Sequence, residues 1–349
     1  MSIRSVSVLI AVGVVFTLAH SLPSGLLAFE GATSETAVSE TAVRQAIQKS
    51  LPYIEEKGIY WIEKKKCVSC HRVSFMTWSL SAAARRGFDV DLARVNEWID
   101  WSIEQGIPKP EGDKPVVTKN ADGLSQQLIA RAEYPSGETR TEAWNKYVDL
   151  ISAEQSADGS WKPAGQLPGQ KRKLDETADV SAAWHALALT RELASETDSA
   201  RKGKLASTVN AATKSFDARK EAASTEWYVV QLLLALETSD ESAVDVATKE
   251  LVTLQKSDGS WGWLKSDPGD ALATGMAVYA LERSTSAATL TDEAVQSGIK
   301  FLVGTQRDDG SWAVKGTKEK KKANIEETAV YWGTTWAAIA LLETLPAAQ

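Results

Sequence analysis

Three segments of one seven-residue pattern recur along the chain: Gln155-Ser-Ala-Asp-Gly-Ser-Trp161, Gln255-Lys-Ser-Asp-Gly-Ser-Trp261 and Gln306-Arg-Asp-Asp-Gly-Ser-Trp312. Each follows an amphipathic stretch and precedes a polar loop and then a more apolar, Ala-rich stretch, so the repeating unit is a helical hairpin. Asp-Gly supplies the turn. The Gln amide is expected to reach exposed backbone groups at a helix end, with the Trp packed on a neighbouring repeat. Spacing the rest of the chain by the same unit recovers three further hairpins whose loops lack the motif. The outer helices are expected at 41–56, 91–104, 139–154, 198–215, 241–256 and 292–306, and they carry the charges. The inner helices are expected at 74–85, 123–132, 176–192, 225–237, 270–282 and 326–343, richer in Ala, Leu, Val and Trp. Helices apolar on most sides are buried, which makes the second set an inner ring.

The Gln-x-x-Asp-Gly-Ser-Trp segments resemble the QW motifs of the squalene cyclase and prenyltransferase repeat superfamily, and the resemblance covers nearly all of 41–349. It implies an all-α fold: one (α/α)6 toroid of six hairpins with inner and outer rings. The triterpene cyclases that share the motif carry two such rings, and this chain has room for one.

The two cysteines of the chain stand in Cys67-Val-Ser-Cys70-His71, the spacing of a c-type haem attachment site. Two thiols on one helical turn add to the two vinyl groups, while the adjacent imidazole of His71 becomes the fifth iron ligand. A thioredoxin-like pair would want a βαβ context, and zinc would want two more ligands nearby. The sequence therefore predicts one covalent haem c, in the loop of the first hairpin where later repeats carry their Trp loops. Candidates for the sixth position are His185, in Ala183-Trp-His-Ala186, and Met276; Met76 reads as packing, and an open position is the remaining choice.

Class II terpene cyclases protonate an alkene with the middle Asp of an Asp-x-Asp-Asp-Thr-Ala segment that opens an inner helix. Lys173-Leu-Asp175-Glu176-Thr177-Ala178 and Asn324-Ile-Glu326-Glu327-Thr328-Ala329 are similar to it, which makes Asp175, Glu176, Glu326 and Glu327 the candidate acids. Lys and Asn stand where the first Asp belongs, and a lysine nearby opposes a neutral carboxyl. Capping of the helix N-terminus is the competing role. Trp184, Trp227, Tyr279, Trp332 and Trp336 are candidates for a cation-stabilising cavity wall or for core. With both cysteines committed, no zinc set of the protein prenyltransferase kind remains.

A positive N-terminus and an apolar run over 6–19 read as a secretory signal over 1–21, followed by a flexible leader over 22–40. Left uncleaved, the segment would anchor the chain to a membrane; either way the expected location is the periplasm or another exported one. A formal charge of −7 argues against nucleic acid. Lys64 to Lys66, Lys109, Lys114, Lys119, Lys171 to Lys173 and Lys318 to Lys322 fall in loops at one face, suited to an acidic redox partner or an anionic ligand. The function expected from these readings is an exported mono-haem cytochrome transferring electrons on a toroid scaffold. The alternative is an enzyme using the central cavity, either haem-dependent and redox-active or terpenoid cyclase-like.

Overall fold

Short polar residues start most of the outer helices: Ser39, Asp91, Asp198 and Asp240 each accept a backbone N–H of the first turn with the side chain, which satisfies donors that a helix leaves open. The computed structural model describes residues 37–348 except 69–70, 110–111, 113–115, 117, 119, 136–139 and 285–287. The expected signal, most of the leader, Cys70, Lys114 and Lys119 lie outside the described residues.

Among these, twelve α-helices alternate between two rings. The outer helices are α1 (Glu40–Tyr60), α3 (Leu92–Gly106), α5 (Thr141–Ala153), α7 (Ser199–Phe216), α9 (Glu241–Thr253) and α11 (Ala288–Thr305). The inner helices are α2 (Val73–Arg85), α4 (Ala121–Ala130), α6 (Leu174–Ser195), α8 (Thr225–Glu237), α10 (Ala271–Glu282) and α12 (Glu327–Glu343). Inner helices touch in the order α2, α4, α6, α8, α10, α12 and back to α2, so the ring closes. Each outer helix also rests on the inner helix of the preceding hairpin, α1 on α12 included. The fold is the expected all-α toroid of six hairpins. No described helix is long and apolar enough to cross a membrane.

The repeated motif works as a clasp between hairpins. Gln155 Nε2 donates to the Gly159 carbonyl of its own turn (3.1 Å) and to the Thr208 carbonyl of the next outer helix (2.9 Å). Gln255 does the same to Gly259 and Ala294, and Gln306 to Gly310 and Ala46, which joins the last hairpin to the first. The expected helix-end contact is thus a bond to carbonyls of the neighbouring helix. The Trp indole N–H, in turn, binds its own outer helix: Trp161 to Ile151, Trp261 to Leu251 and Trp312 to Leu302. The turn glycines are required twice over. Their φ values are +88°, +82° and +82° at Gly159, Gly259 and Gly310, a region that penalises a Cβ. A Cβ there would also collide with the carbonyls of Ala211, Ser297 and Lys49.

Two features decide what the ring can hold. At its centre Trp336 (α12) packs at 5.4–6.1 Å between ring centroids against Phe75 and Trp78 (α2), Trp184 (α6) and Tyr279 (α10). These rings plug the barrel. Over the end where the inner helices begin, loops 154–173 and 306–326 come from opposite sides of the ring and meet. Lys171 N–H donates to the Thr317 carbonyl (2.9 Å), and Gln170 pairs antiparallel with Lys318. They form a strap across the mouth.

Replacing Gln306 with Leu strands two carbonyls at the ring closure, a cost of about 1–3 kcal/mol. Urea unfolding is expected to show that loss for Gln306→Leu, while Gln48→Leu on the face of α1 leaves the midpoint within about 0.5 kcal/mol.

Candidate functional site

Beneath the strap lies a small, partly open cavity of about 60 Å³. Its wall comes from the first turns of inner helices and its roof from the strap: His71, Phe75, Asp122, Gln126, Trp184, Glu226 and Trp332 below, Gln166, Gln170, Thr317 and Lys318 above. Side chains gather here because each inner helix opens toward the same end, and acids in a helix's first turn complement its dipole. Asp122 in α4 and Glu226 in α8 occupy such positions.

Glu226 is fixed in place. Its carboxylate accepts from Arg172 (2.7 Å) and from the Trp184 indole (2.9 Å), and both ions are almost fully buried. Arg172 also donates to Thr177 and Ser224 and lies 5.1 Å from the centre of the Trp263 ring. Its neighbour Lys171 pairs with Asp267 at 2.6 Å, likewise withdrawn from solvent. Two residues of the expected basic face are therefore spent inside the loop layer.

Asp122 keeps 18% of its side-chain surface exposed and stands 3.9 Å from His185 Nε2. The other ring nitrogen of His185 is 2.8 Å from Ser125 Oγ, and Trp161 packs edge-on against the ring at 5.0 Å. Burial pushes the His185 pKa down, and the Asp122 charge only partly opposes it. A neutral imidazole has one donor and one acceptor nitrogen. Ser125 Oγ therefore stands beside one nitrogen and Asp122 beside the other.

The four acids singled out in the sequence serve the scaffold. Asp175 is exposed and pairs with Arg219 at 3.0 Å, which holds its carboxyl below the usual range. Glu176 accepts from Ala223 N–H, Ser224 N–H and Ser224 Oγ (2.6–3.0 Å), pinning the start of α8. Glu326 caps α12 through Ala329 N–H at 3.1 Å. Glu327 pairs with buried Arg72, whose guanidinium sits 4.7 Å from the Trp61 ring centre and 4.4 Å from that of Tyr331. None of the four lines the mouth cavity. Of the aromatic candidates, Trp184 and Trp332 line it, Tyr279 and Trp336 belong to the plug, and Trp227 packs on Phe216 of α7 at 5.8 Å. Met276 and Met76 are core. Sequence reasoning missed Asp122, Gln126, Gln170 and Glu226.

The covalent haem c expected on Cys67, Cys70 and His71 is corrected by the surroundings of the imidazole. His71 is 8% exposed, its ring 6.3 Å from that of Trp332, and the space it faces measures about 60 Å³. Sites for drug-sized ligands run to roughly 300–1,000 Å³, and a porphyrin belongs with the larger of them. His185, expected as a sixth ligand, has Nδ1 bonded to Ser125 and Nε2 facing Asp122. Among the described residues no group of three or more His, Cys, Asp or Glu could hold a metal ion. The electron-carrier reading falls with the haem.

Burial, and then the charges of Arg72 and Lys318, push the His71 pKa from 6.5 down to about 3. The unfolded chain then binds the extra proton first, so His71 contributes stability that is complete above pH 6.5 and is lost as pH falls toward 3. In a pH titration by NMR its ring protons are expected to show no step between pH 5 and 8. Breaking the buried pair with Arg172→Met should cost about 3–5 kcal/mol in urea unfolding, and adding Glu226→Leu should recover most of it.

The ring has counterparts among known proteins. No family model matches the chain. Lanosterol synthase erg7A of Aspergillus fumigatus is 31% identical over 108 residues, which is 30% of this chain and 14% of that protein. The chain thus matches only a small part of the length of this curated relative. A glycosyl hydrolase family 88 structure from Bacteroides vulgatus superposes with a TM-score of 0.62 at 9% identity, covering 88% of this chain and 99% of that one. The type II terpene cyclase MstE from Scytonema, in complex with geranylgeranyl dihydroxybenzoate, gives 0.53 at 13% identity, covering 87% and 97%. The fold is that of toroid enzymes of the glycosyl hydrolase and terpene cyclase kinds, and these neighbours add to the correction of the haem.

Proposed function

We propose that the chain is an enzyme of the toroid kind that works at the strapped mouth, with Asp122 as its proton-transfer group. The observation that carries this reading is the placement of Asp122: a partly exposed carboxylate on an inner helix, lining the mouth cavity, with the buried His185 imidazole 3.9 Å from it. The two kinds of structural neighbour differ in substrate but share a chemistry. Glycoside hydrolysis and terpene cyclisation both begin with a proton delivered to the substrate and pass through a cationic species. Glu226, held by Arg172 and Trp184, lies in the same wall, and the aromatic side chains of Trp184 and Trp332 line it as groups able to stabilise such a cation.

The terpenoid branch of this reading rests on the three clasp motifs and on the lanosterol synthase match. For a polyprenyl chain to fit, the rings around Trp336 would have to part. Substrates that present one small end to the mouth need no such movement.

The test is turnover of two panels, aryl glycosides and linear polyprenyl alcohols, with the products followed by mass spectrometry. One panel is expected to be converted, and Asp122→Asn to lower that rate by at least about 100-fold. Unchanged turnover in Asp122→Asn would remove Asp122 from the chemistry.

A further inference from the structure

The mouth cavity leaves three polar atoms unanswered. Gln126 is 9% exposed, yet its Oε1 has no hydrogen-bond partner; Oε1 of Gln170 and the indole Nε1 of Trp332 are also buried and unpaired. All three residues line the same 60 Å³ space. Gln126 comes from the second hairpin, Trp332 from the sixth, and Gln170 from the strap above them. An unmade hydrogen bond at a buried group costs about 1–3 kcal/mol, so three converging on one cavity mark a site built for something that completes them.

The missing partner's chemistry follows from the set. Two amide oxygens require donors, and one indole N–H requires an acceptor. An ammonium group has no acceptor to offer the indole, and a carboxylate has no donor for the amides. A hydroxyl has both. The charges of the wall point the same way. The charge of Arg172 is matched by Glu226 at 2.7 Å, and Lys318 and Asp122 line the same space with opposite signs, so the wall carries no surplus of positive charge to select an acid group. The aromatic side chains of Trp332, Trp184 and Phe75 supply the apolar side of the lining, against which C–H surfaces can pack.

We propose that the mouth cavity binds the hydroxylated end of a neutral, polyol-like ligand, with hydroxyls donating to Gln126 and Gln170 and accepting from Trp332. This rests on the mouth being the working site, and it narrows the substrate to a class that is neither acidic nor a bare hydrocarbon. Since Gln170 belongs to the strap, the ligand bonds wall and roof together.

The experiment uses the full chain with ¹⁵N-labelled tryptophan. The Trp332 indole signal is assigned by its loss in Trp332→Phe, and the probes are methyl glycosides of glucose, galactose and mannose, sodium glucuronate, and geraniol. At least one neutral glycoside is expected to shift the Trp332 signal saturably. Gln170→Leu, a change in an exposed loop that leaves the core untouched, should weaken that binding at least tenfold, and Gln126→Leu likewise. A Trp332 response to glucuronate or geraniol alone, or to no probe, would overturn the inference. The enzymatic reading is separated by turnover. A glycoside that binds while Asp122→Asn leaves catalysis intact sinks only the role of Asp122. Catalysis that depends on Asp122 while the neutral glycosides stay silent sinks only the ligand class.

Discussion

A glutamine amide that answers two carbonyls on adjacent hairpins is the contact on which the ring depends. Inner helices are apolar on nearly every side and would bury themselves in many arrangements; hydrophobic contact alone does not fix the angle from one hairpin to the next. The clasp does. Its glycine turn approaches the neighbouring helix so closely that no side chain fits between them, and the amide bonds can form only at that separation. Used between hairpins three and four, five and six, and six and one, it sets the rotation per step and brings the last hairpin back to the first.

At two of these same joints charged groups reinforce the clasp from the inner ring. Arg72, between two aromatic rings and paired with Glu327, ties the first hairpin to the sixth. Glu176 and the Arg172–Glu226 pair tie the third to the fourth from the inside. These contacts lie at the end where the inner helices start, and so the scaffold and the candidate site draw on the same residues. Asp122 and Gln126 are exceptions: their polar atoms are not consumed by the joints around them.

Periodicity and the repeated loop made the architecture legible, since burial of an all-apolar helix needs no knowledge of its neighbours. The start of α6 at Leu174 and of α11 at Ala288, each before its expected position, shows the usual imprecision at helix ends. The site was less legible. Asn120-Ala-Asp-Gly-Leu-Ser-Gln-Gln127 carries no repeat motif, although a Ser-Gln-Gln run on an inner helix was a signal that polar groups face something other than packing. The Cys67 to His71 motif shows the opposite failure. Five residues can display the spacing of an attachment site, but the volume over the imidazole is set by loops more than 90 and 240 positions away in sequence, and their meeting across the ring is not written locally.

That meeting has a mechanical consequence. A hoop braced along one diameter resists flattening in that direction and yields along the others. With loops of the third and sixth hairpins bonded across the opening, slow elastic breathing of the circle is channelled into the second and fifth hairpins, or the first and fourth. Asp122 rides on the second. Its distance to the opposite wall is therefore the coordinate most free to vary in collective motion, while the span beneath the brace is held constant.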